Sequence, residues 1–228
     1  MRKTLIPLFG FLLFCLSACN GQSTHKGYEY VDLGLSVKWA TCNIGATVPE
    51  GYGDYFAWGE TQPKEEYTWS TYKHCNGSNK TLTKYCFDSN SGTVDNKTVL
   101  DKSDDAAHVL WGGKWRIPTH KEIEELFNKC SWTWTEINGV GGYRVTSKVE
   151  GFTDRSIFLP AASGRASTRI GDINKTGRYW SSSVGSESDA LMAWTIYFVD
   201  NDPQTIDEDV SVTLSSRHNG QSIRPVCP

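Results

Sequence analysis

The first pattern in the chain is an apolar run over residues 4–16, preceded by Arg2 and Lys3. It is shorter than the ~20 apolar residues that span a bilayer. A short cationic start and a brief apolar run fit a secretory signal. From residue 28 the apolar positions alternate with polar ones in short stretches. Residues 28–31, 37–41 and 54–58 predict strands. Residues 132–135 and 143–146 alternate around Asn138-Gly139, which predicts a hairpin. Residues 157–160, 179–183, 192–198, 210–214 and 222–226 predict further strands. Two stretches change period. Residues 103–110 predict a short helix whose Asp104 and Asp105 suit the positive end of its dipole. Residues 120–129 predict a second, with Ile123, Leu126 and Phe127 as its apolar stripe. Thr119 and Glu122 form the capping box that starts it. Residues 60–100 are rich in loop formers, and so long a loop should carry function or be stapled.

These elements predict one α+β domain of mostly short antiparallel strands, two helices and long ordered loops, over residues 28–228. Nine Trp, ten Tyr and nine Phe beside only two Met agree with strands and ordered turns rather than a helical bundle. Without residues 1–18 the chain keeps 21 of its 23 Lys and Arg against 26 Asp and Glu, so its net charge moves from −3 to −5. No basic block offsets this balance, which argues against a nucleic-acid partner.

The apolar run ends in Leu16-Ser17-Ala18-Cys19. This resembles the lipobox of bacterial lipoproteins, in which the Cys19 thiol takes the diacylglycerol. Residues 1–18 are then the signal peptide and 19–27 the lipidated tether. An ordinary signal cut near Ala18 is the other reading. Acylation makes membrane lipid the first expected partner and the cell envelope the location, with Asn20 favouring the outer membrane. Outside the cytoplasm cysteines can pair. Cys75 and Cys86 flank a turn region and make the easiest local disulfide. Cys42 and Cys227, near the two ends of the domain, make the second, which leaves Cys130 over. A zinc site competes poorly, because no C-x-x-C occurs and the histidines are scattered.

Several blocks together resemble a known family. They are 30–43, 53–61, Trp115-Arg116-Ile117-Pro118-Thr119, Phe158-Leu159-Pro160-Ala161-Ala162, 179–183 and 217–226. They are similar to the Fibrobacter succinogenes major paralogous domain, abundant in envelope and surface proteins of Bacteroidetes. The resemblance covers residues 28–228 and implies a C-type-lectin-like fold with its two chain ends paired. It also implies binding or display rather than a defined reaction.

Candidate chemistry lies in the C-terminal half. Residues 163–178 are polar, glycine-rich and cationic, and Arg165, Arg169 and Arg178 would hold an acidic sugar or carboxylate. A solvated loop is the plainer reading. Residues 184–190 form the neighbouring loop of the expected ligand face. Trp132 and Trp134 share one strand face and would stack sugar rings if it turns outward, whereas Trp58, Trp180 and Trp194 fit burial. Asp200-Asn201-Asp202 and Asp207-Glu208-Asp209 group hard oxygen ligands suited to calcium. Their spacing fits no EF-hand loop, so two solvated turns and no cofactor are the expectation. The five histidines have no partner motif and no G-x-S-x-G occurs, so a non-enzymatic binding module for a glycan or protein is the leading reading. A thiol oxidase of the formylglycine-generating type is the second, although Cys130 and Cys227 lie far apart in sequence. A structural tip or surface-assembly subunit is the third.

Overall fold

The computed structural model describes residues 23–200 and 210–228. Cys19 and the second acidic turn lie outside the described residues, as do Asn201 and Asp202. In chain order the elements are β1 (Ser23–His25), β2 (Tyr28–Val31), β3 (Lys38–Ala40), α1 (Ala106–Trp111), α2 (His120–Lys129), β4 (Cys130–Ile137) and β5 (Val140–Ser147). There follow β6 (Ser156–Pro160), β7 (Gly164–Ala166), β8 (Arg169–Ile170), β9 (Thr176–Val184), β10 (Met192–Val199), β11 (Val210–Ser216), β12 (Gly220–Gln221) and β13 (Val226–Cys227). The strand pairings are antiparallel and form four small sheets, ordered β1-β2-β3-β13, β4-β5-β6, β11-β10-β9 and β12-β7-β8. The architecture is therefore α+β with few helices.

Local chemistry accounts for the clearest elements. Thr119 Oγ1 accepts from Glu122 N, and the Glu122 carboxylate accepts from Thr119 N at 2.8 Å, so α2 begins on the expected capping box. Asn138 and Gly139 have φ of 51° and 83°, the left-handed pair that a tight hairpin turn requires. β4 and β5 pair without a slip from Cys130↔Ser147 to Ile137↔Val140.

Two predicted elements are corrected. The helix over 103–110 is broken: a 3-10 turn covers Lys102–Asp104, and α1 begins only at Ala106. Asp105 between them is extended, because its carboxylate caps His108 N at 3.0 Å and accepts from Ile117 N at 2.9 Å. The strand over 54–58 shrinks to one bridge, Phe56↔Gln221.

Three packed clusters make up the interior. One joins α2 to the β4–β6 and β9–β11 sheets through Leu126, Tyr143, Leu159, Tyr179 and Phe198. A second gathers Phe56, Trp58, Trp111, Trp115 and Trp180. The third lies under the long loop and holds Tyr67, Tyr72, Cys75, Leu82 and Cys86.

The C-terminal segment threads between them. Residues 220–227 are all buried. Within this strap β12 pairs with β7, Ser222 bridges Tyr179, and Val226 pairs with Trp39 and bridges Arg116.

The expected disulfides are absent. All five described cysteines are free thiols. Cys75 Sγ donates to Trp69 O at 3.0 Å and Cys86 Sγ to Asp88 O at 3.1 Å, so each thiol is engaged separately. Cys227 pairs in register with Lys38, four residues before Cys42. Cys42 lies beyond the end of β3, and the two thiols are unbridged.

The loop over 60–100 is held by polar anchors instead. Arg217 is fully buried and donates to Tyr72 Oη, Tyr85 O, Ala190 O and Lys84 O at 2.9–3.0 Å. Asp104 accepts from Lys73, Lys84 and Tyr85. Burial pushes its pKa up, but those hydrogen bonds outweigh burial and hold the carboxyl below the usual range.

Two predictions follow from these anchors. Arg217→Met leaves three carbonyls inside the protein without their donor, while the Tyr72 phenol keeps its bond to Trp58 O. It should lower unfolding stability in a urea titration by about 3–5 kcal/mol. His74 is buried against Gly59 O at 2.9 Å, and burial depresses its pKa to about 4 against the opposing pull of that carbonyl and Asp104. The unfolded imidazole titrates near 6.5, so the unfolded chain takes the proton first as pH falls. This contribution to stability is complete above about pH 6.5 and is lost toward about pH 4, by up to ~3 kcal/mol. His74→Gln should flatten that part of the stability–pH curve.

Candidate functional site

The stretch over 163–178 is not a bare loop. β7 and β8 form a small hairpin within it, turned at Ser167 with φ of 54°. β12 pairs with β7 on one side, and Ser163 bridges Gly177 just before β7, next to β9. Together these strands enclose a concavity of about 560 Å³. Arg165, Arg169 and Arg178, spread over fourteen positions of sequence, all line it.

Two of the three guanidiniums are fixed in place. Arg178 on β9 lies 4.2 Å over the ring of Tyr197, its register partner on β10. Burial lowers its pKa from the usual value, and no carboxylate lies within ion-pair distance among the described residues. Arg165 on β7 lies 5.5 Å over the Tyr67 ring, and its Nε is buried without a hydrogen-bond partner. Its nearest carboxylate is the fully exposed Glu65 at 3.9 Å. Arg169 on β8 is exposed at the rim.

Gly164 and Gly220 make this arrangement possible. A Cβ on Gly164 would meet Arg178 Cδ at 3.2 Å and Gly220 O at 3.1 Å, and one on Gly220 would meet the Tyr67 ring at 2.6 Å. The Arg178 stem therefore lies across a position with no side chain.

Gln221 contributes from below. It is fully buried, its Oε1 accepts from Thr195 Oγ1 at 2.5 Å, and its amide Nε2 has no partner. The hydroxyls of Ser163 and Thr176 engage each other at 3.1 Å. Asp172 is the carboxylate among the lining residues. Among the described residues the site is thus rich in unpaired N–H donors and poor in acceptors. That chemistry suits an oxyanion, which only accepts.

Other expected site residues fall elsewhere. Trp132 and Trp134 do not form an outward platform. Their face of β4 packs against the first cluster, with Trp134 edge-on to Tyr143 at 5.2 Å and Phe198 at 6.4 Å. Trp58 and Trp180 are buried, whereas Trp194 is half-buried and stacks on His120 at 3.8 Å. The loop over 184–190 follows the far end of β9 and does not line the concavity. Asp200 is described, but the rest of the expected calcium cluster lies outside the described residues. Among the described residues no three His, Cys, Asp or Glu come together in a metal-holding group. Cys130 and Cys227 sit in separate clusters. Burial pushes the Cys130 thiol up to about 11 and raises that of Cys227 too.

The sequence reading missed Tyr197, Tyr67 and Gln221. Tyr197 stands in a strand whose alternation marks it for the face of Arg178, but the partner strand cannot be known without the register. No family model, curated protein or solved structure matches this chain.

Among the described residues Arg178 carries a partly desolvated charge with no ion-pair partner, a feature that costs stability unless a ligand uses it. Arg178→Met keeps the stem over Gly164 and removes the charge. Its thermal midpoint should equal or exceed that of the parent, in contrast to the loss at Arg217.

Proposed function

We propose that this chain is a lipid-anchored, non-enzymatic binding module of the cell envelope, with a C-type-lectin-like domain that recognises an acidic glycan. The lipobox at Cys19 supports the anchor. The fold reading is supported by the paired chain ends, β3 with β13, by the short antiparallel strands and by the long ordered loops. The observation that carries the ligand reading is the convergence of Arg165, Arg169 and Arg178 on one concavity whose donors lack partners among the described residues. Arginine forks match a two-oxygen edge, which both a carboxylate and a sulfate present. Tyr197 beneath Arg178 adds rigidity, because the stacked guanidinium loses less freedom on binding. The raised thiol pKa values of Cys130 and Cys227 weigh against the oxidase reading, since the thiolate is the reactive form.

The soluble form, residues 20–228, should bind uronate-bearing or sulfated glycans on an array and leave neutral ones unbound. Removing a charge-assisted hydrogen bond costs about 1.5–3 kcal/mol, so Arg178→Met and Arg165→Ala should each weaken binding about 10- to 100-fold. Unchanged binding in both variants would remove the concavity from the account. Capture of neutral glycans alone would remove the acidic ligand.

A further inference from the structure

We infer that the face formed by α1 and the β1–β2 turn rests on the lipid headgroup layer holding the Cys19 acyl chains. This inference rests on the anchor proposed above. Ser23 follows Cys19 by four residues, which span at most ~14 Å when fully extended. β1 leads directly from Ser23 to His25. His25 is pinned to the segment after α1: its ring accepts from Lys114 N at 2.9 Å, and its carbonyl accepts from Trp115 Nε1 at 2.8 Å. The α1 end of the domain is therefore the part that so short a tether keeps nearest the bilayer.

The surface there has the chemistry of an interfacial face. Val109 and Leu110, adjacent on α1, are 47% and 40% exposed. Tyr28 is exposed and stacks flat on Trp111 at 3.8 Å. Lys26, Lys102 and Lys114 are exposed around them, and none forms an ion pair among the described residues. Lysines of this kind lay their stems along apolar surface and place their charge among anionic headgroups. Val, Leu and Tyr side chains enter the shallow headgroup boundary. So small a face would bind a membrane weakly by itself. The acyl tether makes the contact intramolecular and raises its effective concentration, so a small face suffices. A stable dimer would need a larger apolar area than these few side chains supply.

The orientation has a geometric consequence. Val184, at the end of β9, shares a cluster with Ala106, Ala107 and Trp111 of the α1 face. Thr176 and Arg178, at its start, line the concavity. Eight residues of strand separate the two ends by ~26 Å. The arginine site thus stands at the far end of β9 from the lipid.

The full chain, processed in a bacterial envelope, would be placed in nanodiscs of phosphatidylethanolamine and phosphatidylglycerol doped with a headgroup-nitroxide lipid. A fluorophore is attached through Leu110→Cys or, separately, through Ile173→Cys beside the concavity, with the unsubstituted chain labelled as blank. Quenching should be several-fold stronger at 110 than at 173. Equal quenching, or stronger quenching at 173, would overturn the orientation. A signal at 110 that follows protein concentration rather than nitroxide would assign the face to a second copy and also overturn it. Intact mass of the same sample separates the two levels. An unacylated Cys19 overturns the anchor and the orientation together, whereas an acylated chain without quenching at 110 overturns the orientation alone.

Discussion

The fold depends on burying a polar strap. Residues 220–227 pass through the interior, where every backbone N–H and C=O must find a partner or cost free energy. A central strand of one large sheet would satisfy them with two neighbours. Here the neighbours change every two or three residues: Arg165 and Gly164, then Phe56, Tyr179, Trp39 and Arg116. Three of the four small sheets are thereby tied to one segment. Arg217 stands just before this strap and Arg224 within it, both buried. Arg224 donates to Asn43 Oδ1 at 2.9 Å and Ala40 O at 3.2 Å. An arginine suits these positions because carbonyls from separate loops converge there, and a fork of five N–H groups can serve several at once. Hydrogen bonds to a charged group contribute more than neutral ones, which offsets part of its desolvation.

The same strap creates the arginine-lined concavity. β12 lies beside β7, which sets Arg165 near Arg178, and the two glycines at the crossing let the chains approach closely. Arg217 and Arg178 differ in a way that separates structure from function. Arg217 has its donors satisfied by backbone and phenol oxygens. Arg178 is half-buried on an aromatic ring, with no ion pair among the described residues. A fold that can saturate one arginine so fully, and leaves another open over a cavity, has placed its unspent donors where a ligand can reach them.

Much of this was legible in the sequence where local chemistry decides the outcome. The Thr119–Glu122 capping box, the Asn138-Gly139 hairpin and the long alternating strand at 192–198 depend on neighbours within a few positions. The arginines of 163–178 were legible as a cationic cluster, but the small hairpin that gathers them was not. It is held by β12, more than forty residues downstream. The tryptophans at 132 and 134 were legible as sharing a face, yet alternation does not say which face meets the core. The disulfide reading failed for a related reason. Closeness in sequence made Cys75 and Cys86 attractive, while the loop they would staple is fixed by Arg217 and Asp104. A buried arginine looks like a surface residue in composition, so nothing local marks it.

β9 turns these pieces into one device. Its start carries Arg178 and its end packs into the cluster beneath α1, so a single strand links the arginine concavity to the α1 face. A module anchored by a short tether cannot rely on linker length to project its binding loops. It must use its own longest dimension instead. On the proposed anchor, the ~26 Å of β9 supplies that distance. A more compact arrangement, with both chain ends beside the arginine hairpin, would bury the same apolar surface. It would also press the cavity against the headgroups, whose own phosphates would compete for the three guanidiniums. Separating the two ends along one strand keeps those donors open to a ligand arriving from the aqueous side.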